Sequence, residues 1–296
     1  MRISILVPFF VSGKNKEEII KEENKRRAIF REWRLTKFEP QIKNLFKDVI
    51  IDYLLAFTEQ IDRVGQSLVV KYEGATPKGT MVRGKLLSLI SKIDYSDIDK
   101  NYLILIDGSG KIEFDSVFKV LKALVIGKQV ILGCRFKGSG ISLRRKKVEI
   151  FENFLVSERY KVDLPDAQCG CWGIRVGILK SLSLTANSYE IELDLVTSAL
   201  ESNLSICFVP VKAFFKAGTG FTSKEDLTKL NFLVNKLGLD EYILNALYEK
   251  FKKTYGLSLD SNYLNYFKEI PFLKFRKKFD CLKGCKKPCQ KVYIYK

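Results

Sequence analysis

Tyr102-Leu-Ile-Leu-Ile-Asp107-Gly-Ser-Gly-Lys111 is the stretch that decides the fold. Its apolar run reads as a strand buried on both faces, and an acid followed by glycines ends it. A carboxylate at the end of such a strand costs desolvation energy, which a metal, a ligand or its own turn must offset. Outward from it, Ile3 to Val7 (closed by Pro8), Val49 to Phe57, Leu68 to Tyr72, Val130 to Gly133 and Ile206 to Val211 read as further strands. Helical patterns fill Asn15 to Leu35, Lys78 to Ile93, Phe114 to Leu124, Leu143 to Tyr160 and Glu190 to Asn203. Strands alternating with helices predict an α/β fold with a mostly parallel sheet flanked by helices. Ligands of such sheets collect at the carboxyl ends of the strands, which is where Asp107 falls.

Composition bounds the chemistry. The 296 residues contain no histidine, which excludes Ser-His-Asp and Cys-His nucleophilic machinery and histidine zinc sites. Carboxylates, lysine, arginine, backbone dipoles or an oxygen-held metal are left, a set that suits phosphate chemistry. Lys and Arg exceed acids by 51 to 34, a net charge of +17 that favours a polyanionic partner. No apolar run approaches the roughly 20 residues of a membrane span. The opening Met-Arg-Ile-Ser-Ile-Leu-Val-Pro-Phe-Phe is short for a signal peptide and has no cleavage site, so the expected location is the cytoplasm. Seven cysteines in such a chain fit a reducing compartment or a thermophile's disulfides.

Two later segments belong beside Asp107. Gly133-Cys-Arg135 follows the next strand and puts Arg135 at the same sheet edge, and Arg144 and Arg145 follow a glycine-rich turn, Lys137 to Gly140. Arginines near a carboxylate suit a diphosphate, whose oxygens take forked guanidinium hydrogen bonds; ordinary surface charge is the other reading. For Asp107 itself, capping or turning with Gly108 stands beside ligand binding.

The order of these pieces resembles the family-2 glycosyltransferases of the GT-A fold, and more narrowly their dolichyl-phosphate mannose synthase-like branch. The family's Asp-x-Asp strand end is matched by Asp107-Gly108-Ser109-Gly-Lys111, and its Gly-Ser-Arg by Gly133-Cys-Arg135. The pattern D-x-Q-x-G-x-x-x-x-R is matched by Asp166-Ala-Gln168-Cys-Gly170-Cys-Trp-Gly-Ile-Arg175, and the acidic helix start by Tyr189-Glu-Ile-Glu192-Leu-Asp194. The likeness covers Tyr102 to about Val211; residues 1 to 95 match in outline. It implies transfer of a sugar, with inversion, from a nucleotide-diphosphate sugar to a polyprenyl phosphate or a lipid-linked glycan. It places the nucleotide on Pro8, Phe10, Glu59 (with Asp62 nearby), Lys78, Arg83 and Asp107 to Lys111, and the acceptor on Arg135, Arg144, Arg145, Gln168 and Gly170. A hydroxyl acceptor needs a carboxylate base, for which Asp166, Glu192 or Asp194 is available; a lipid phosphate needs mainly arginines. Asp166 and Gln168 have a second reading, as braces of the acceptor loop.

The family metal is Mg2+ or Mn2+, with Asp107 as the expected ligand. Ser109 replaces the second family acid and Lys111 the family glutamine, so Lys111 is expected to substitute in part for cation charge and leave the metal weak or dispensable. Two alternatives stay open: a degenerate protein that binds nucleotide sugar without turnover, and a nucleotidyltransferase or basic nucleic-acid-binding protein on a similar frame. The second rests on charge alone, since no nucleic-acid motif accompanies it.

A boundary is expected near residue 222, dividing a transferase-like domain, 1–222, from a helical, basic extension, 223–296. In the extension, Leu227, Leu230, Val234 and Leu237 share one helical face behind a Ser223/Asp226 capping box, and Ile243, Leu247 and Phe251 mark another helix, ended by Gly256. Residues 271–296 hold nine Lys or Arg against one acid, interleaved with Phe272, Phe275 and Phe279, which suits either an anionic membrane surface or a solvated tail. Cys281, Cys285 and Cys289 recur there without the C-x2-C spacing of a zinc knuckle.

Overall fold

The computed structural model describes residues 1–9, 16–57, 82, 84, 100–135, 142–214, 223–269 and 293–294. Expectations for Phe10, Glu59, Asp62, Lys78, Arg83, the strand at 68–72, the turn at 137–140 and the cysteine-bearing tail lie outside these residues.

The strands are β1 (Arg2–Phe9), β2 (Ile50–Phe57), β3 (Asn101–Ile106), β4 (Val130–Cys134), β5 (Cys171–Arg175), β6 (Ile206–Pro210) and the short β7 (Tyr293–Ile294). They form one sheet in the order β2-β1-β3-β5-β4-β6-β7, parallel throughout except for β5, which runs antiparallel to both neighbours. The helices are α1 (Lys16–Trp33), α2 (Glu39–Leu45), α3 (Ser116–Val125), α4 (Leu143–Tyr160), α5 (Ile191–Glu201), α6 (Ser223–Leu237), α7 (Glu241–Tyr255) and α8 (Ser261–Glu269).

The pleat of β3 explains its unbroken apolar run. Leu103 and Leu105 point into a cluster shared with α4 to α8, while Ile104 and Ile106 point into a second cluster with α1 to α3. Both faces are dry, so neither needs polar residues. Leu230, Leu233, Val234 and Leu237 of α6, Leu244 and Phe251 of α7, and Tyr263 and Phe267 of α8 belong to the first cluster, together with Phe151 and Leu155 of α4. Gly256 ends α7 in the left-handed conformation expected of a helix-terminal glycine, at φ 63°.

The reversed direction of β5 follows from chain length. Helix α4 starts beyond the carboxyl end of β4 and descends alongside the sheet, and residues 161–170 climb back along it. Asn153 of α4 holds that return, its Oδ1 accepting from Ala167 N at 3.2 Å and its Nδ2 donating to Pro165 O at 3.4 Å. The chain re-enters the sheet at the carboxyl edge, and β5 must run down.

Helix α1 was expected to stop at Leu35. Instead the chain passes through a π-helical turn, Arg34–Phe38, straight into α2. Pro40 has no N–H to give an α-helical bond. The wider turn lets Glu39 N–H reach back to Arg34 O, and Thr36 Oγ1 donates to Glu32 O at 2.7 Å. Phe38 is thereby turned inward to stack on Trp33, with ring centroids 4.9 Å apart.

Candidate active site

The carboxyl ends of β1 and β3 and the start of β5 meet at Asp107. Its N–H donates to Gly170 O at 2.7 Å, and Gly108 N–H donates to Pro8 O at 3.0 Å, so the turn is pinned from both sides. Asp107 Oδ1 accepts from Ser109 N–H at 2.8 Å, and Ser109 Oγ accepts from Lys111 N–H at 3.3 Å. The carboxylate is half-buried rather than sealed in, and its own turn supplies part of the compensation that a strand-end acid needs. Beyond the turn, Phe214 N–H donates to Lys111 O at 2.6 Å, tying the exit to the segment after β6.

Gly108 is required by contact rather than by conformation. A Cβ there would stand 2.6 Å from Phe9 Cδ1, inside the ring edge. Gly108→Ala is therefore expected to cost about 1–3 kcal/mol through displacement of Phe9. Thermal denaturation checks this, and a variant as stable as wild type would contradict the close fit.

Phe9 is also one wall of a cleft of about 600 Å³ on the α1 side of the sheet. Asn24, Arg27, Ala28, Arg31 and Leu35, on one face of α1 and the turn after it, line the opposite wall. The cleft adjoins the Asp107 turn through the Phe9 ring, against which Gly108 packs.

The expected acceptor residues come together, but in pairs with one another. Asp166 is fully buried and accepts from Arg135 Nε and Nη2, both at 2.8 Å, from Arg135 N at 2.9 Å and from Gln168 N at 3.1 Å. Arg135 Nη2 also donates to Glu149 Oε2 at 3.1 Å, and Arg145 Nε donates to Glu149 Oε1 at 2.9 Å. Arg144 spans two helices, pairing with Asp226 at 2.9 Å and Asp260 at 2.8 Å. Asp226, read as half of a capping box, is spent on this pair. Both Gln168 amide ends are engaged: Nε2 donates to Glu152 Oε2 at 2.7 Å, and Oε1 accepts from Lys229 Nζ at 2.8 Å.

Electrostatics follow the pairing. Burial alone would lower the Arg135 pKa, but Asp166 and Glu149 outweigh it and hold the guanidinium well above its usual value. Burial alone would raise the Glu149 carboxyl, but Arg135 and Arg145 hold it below the usual carboxylate range. Glu152 goes the other way, because burial outweighs the lowering by Lys229. Burial pushes the Cys171 thiol up to about 12 and, with Asp166 adding to it, the Cys169 thiol well above its usual value, so both act as small packing groups.

At the start of α5 the carboxylates divide. Asp194 is fully buried and accepts from Thr185 N and, at 2.7 Å, from Ala186 N, while Lys236 Nζ lies 3.5 Å from its other oxygen. Glu192 is buried as well. Glu190, which the sequence reading passed over, is buried at the carboxyl edge; Oε1 accepts from Asn187 N and Ser188 N at 3.1 and 3.2 Å, and Oε2 is buried with no partner. The indole N–H of Trp172, the second residue of β5, is likewise buried and unpaired. Buried polar groups are normally satisfied, which sets these two apart. The signal in the sequence was that Trp172 and Glu190 both fall inside the matched motifs.

Among the described residues no group of three or more Cys, Asp or Glu is arranged to hold a metal. The turn itself offers one carboxylate, Asp107, and one hydroxyl, Ser109. That oxygen set fits a hard divalent cation whose remaining ligands are phosphate oxygens and water. No helix among the described residues is long and apolar enough to cross a membrane.

No protein-family profile matches the chain, and no curated protein matches it in sequence. Solved structures do resemble it. Glucosyl-3-phosphoglycerate synthase from Mycobacterium tuberculosis, bound to Mn2+, UDP and phosphoglyceric acid, aligns with 80% of this chain and 79% of its own at 15% identity and a TM-score of 0.50. The same enzyme with UDP alone covers 80% of each chain at 15% identity and a TM-score of 0.49. At this identity the likeness is one of fold, and with the strand order above it makes the domain a GT-A type α/β fold, a mostly parallel sheet flanked by helices.

Proposed function

We propose that the protein is a glycosyltransferase that uses a nucleotide-diphosphate sugar. The observation that carries this reading is the Asp107–Gly110 turn, pinned between Pro8 and Gly170 at the carboxyl edge of a GT-A type sheet. The diphosphate would lie over this turn. The nucleoside end would pass Phe9 into the cleft along α1, and the sugar would face Trp172 and Glu190, whose unpaired N–H and oxygen suit hydroxyl groups. A divalent cation bound through Asp107 and Ser109 would stabilise the charge growing on the departing diphosphate. Lys111, next along the turn, would add fixed positive charge and reduce the dependence on metal.

The acceptor reading narrows. Arg135, Arg144 and Arg145 are committed to Asp166, Glu149, Asp226 and Asp260, which leaves them little to offer a polyprenyl phosphate. A hydroxyl acceptor, such as a glycan, fits better. It needs a base, and Asp166 and Asp194 are engaged elsewhere; Glu190, whose Oε2 is buried with no partner, is the carboxylate proposed for that role and for an inverting outcome. Asp166 and Gln168 take the bracing role. A second reading, nucleotide-sugar binding without turnover, is favoured by Ser109 in place of a second acid.

Release of nucleoside diphosphate from a panel of UDP- and GDP-sugars, with glycan acceptors and with either Mn2+ or a chelator, tests the proposal. Turnover of one donor, reduced but not abolished by the chelator, is expected. Thermal stabilisation by UDP or GDP without turnover would support the binder instead, and neither effect would refute both readings.

A further inference from the structure

Lys229 lies on α6, a helix the sequence assigns to an extension, yet its side chain is 1% exposed. An apolar residue would fit among its neighbours Leu230 and Leu233 at no desolvation cost. Instead its ammonium donates to Gln168 Oε1 at 2.8 Å and to Glu152 Oε2 at 3.2 Å. Gln168 Nε2 donates to that same Glu152 oxygen, and Tyr263 Oη of α8 donates to Glu152 Oε1 at 3.0 Å. Helices α4 and α6 thus grip one side chain of the return loop, with Tyr263 of α8 bracing Glu152 alone, and the lysine on one side and the carboxylate on the other fix which way the Gln168 amide points.

The grip reaches the edge of the sheet. Two residues after Gln168, the Gly170 carbonyl takes the Asp107 N–H. Between them Cys169 lies so close over Gly133 that an added Cβ would meet its Sγ at 2.7 Å. The loop therefore has little room to shift except as a unit with Gln168. A buried ion pair is commonly no more stabilising than apolar residues of similar size, so stability alone does not account for this one.

We propose that Lys229 is a positioning residue: through Gln168 it sets the Gly170 carbonyl, and so the Asp107–Lys111 turn, in the orientation that sugar transfer uses. The proposal rests on the transferase reading above and makes the helices after residue 223 part of the site.

The test compares Lys229→Met/Glu152→Gln, which removes both charges together, with Tyr263→Phe, which loosens Glu152 without touching Gln168. Amide hydrogen exchange at Asp107 and donor turnover are measured in the full chain. In the double variant Asp107 is expected to exchange about tenfold faster while Ile5 and Val7 of β1 keep wild-type rates. Its kcat is expected to fall about tenfold or more with little change in the donor KM. Tyr263→Phe should lower the melting temperature without changing Asp107 exchange. If the double variant does not fold, Gln168→Met cuts the same link from the loop side and carries the same expectations. Unchanged Asp107 exchange and kcat, or equal acceleration in Tyr263→Phe, overturns the positioning role while the transferase reading stands. A wild-type protein that turns over no donor overturns the transferase reading, and the positioning role for transfer with it.

Discussion

Asp166→Asn is expected to lower the melting temperature by roughly 6–20 °C, the largest stability effect of any single substitution at this edge. Removing one partner of a buried ion pair costs about 3–5 kcal/mol, and each kcal/mol shifts the melting point of a domain this size by about 2–4 °C. Asn has nearly the shape of Asp, so packing survives. It carries no charge, however, and turns an amide N–H toward the guanidinium that now receives two carboxylate oxygens. Arg135 would keep one charged partner, Glu149, which it shares with Arg145. Thermal denaturation followed by circular dichroism reads the shift, and a change under about 2 °C would mean that the pair is not the clasp described. The same cluster sets an acid limit. Glu149 has its folded pKa below the ordinary value of about 4.3, so its contribution is complete above that value and is lost as pH falls through the lowered one.

Asp107→Asn is expected to do the reverse, leaving stability nearly intact while cutting turnover by about 10²–10³. The side-chain oxygen of Asn still accepts the Ser109 N–H, so the turn persists. What disappears is the negative charge that the cation, and through it the diphosphate, would meet. A melting temperature within about 2 °C of wild type would accompany the loss. Full turnover in this variant would take Asp107 out of the chemistry and leave it a turn-former.

Strands β1, β3, β4 and β6 were legible because each is buried on both faces and leaves an apolar run. The return loop was legible as a motif but not as a structure. Arg145, Glu149 and Glu152 stand at i, i+4 and i+7 on α4, a spacing that reads equally as a solvated charged stripe. Whether such a stripe faces water depends on Arg135, Asp166, Lys229 and Tyr263, which arrive from distant parts of the chain. For the same reason the arginines read as an acceptor cradle have internal partners, since a guanidinium hydrogen-bonds a carboxylate as readily as a phosphate. The π turn at Arg34–Phe38 was hidden because Pro40 signals a helix end, and only the backbone shows that the helix widens to pass it. Glu190 was overlooked beside Glu192 and Asp194 because three acids in five residues carry no mark of which one keeps an unpaired oxygen.

A crystal of the full chain soaked with UDP or GDP and Mn2+ puts the central claim to the most direct test. The predicted result is density for the diphosphate within hydrogen-bonding distance of the Asp107–Lys111 turn, with the nucleoside running past Phe9 toward Arg27 and Arg31. A diphosphate bound away from that turn, or a turn left empty at saturating nucleotide, would contradict it.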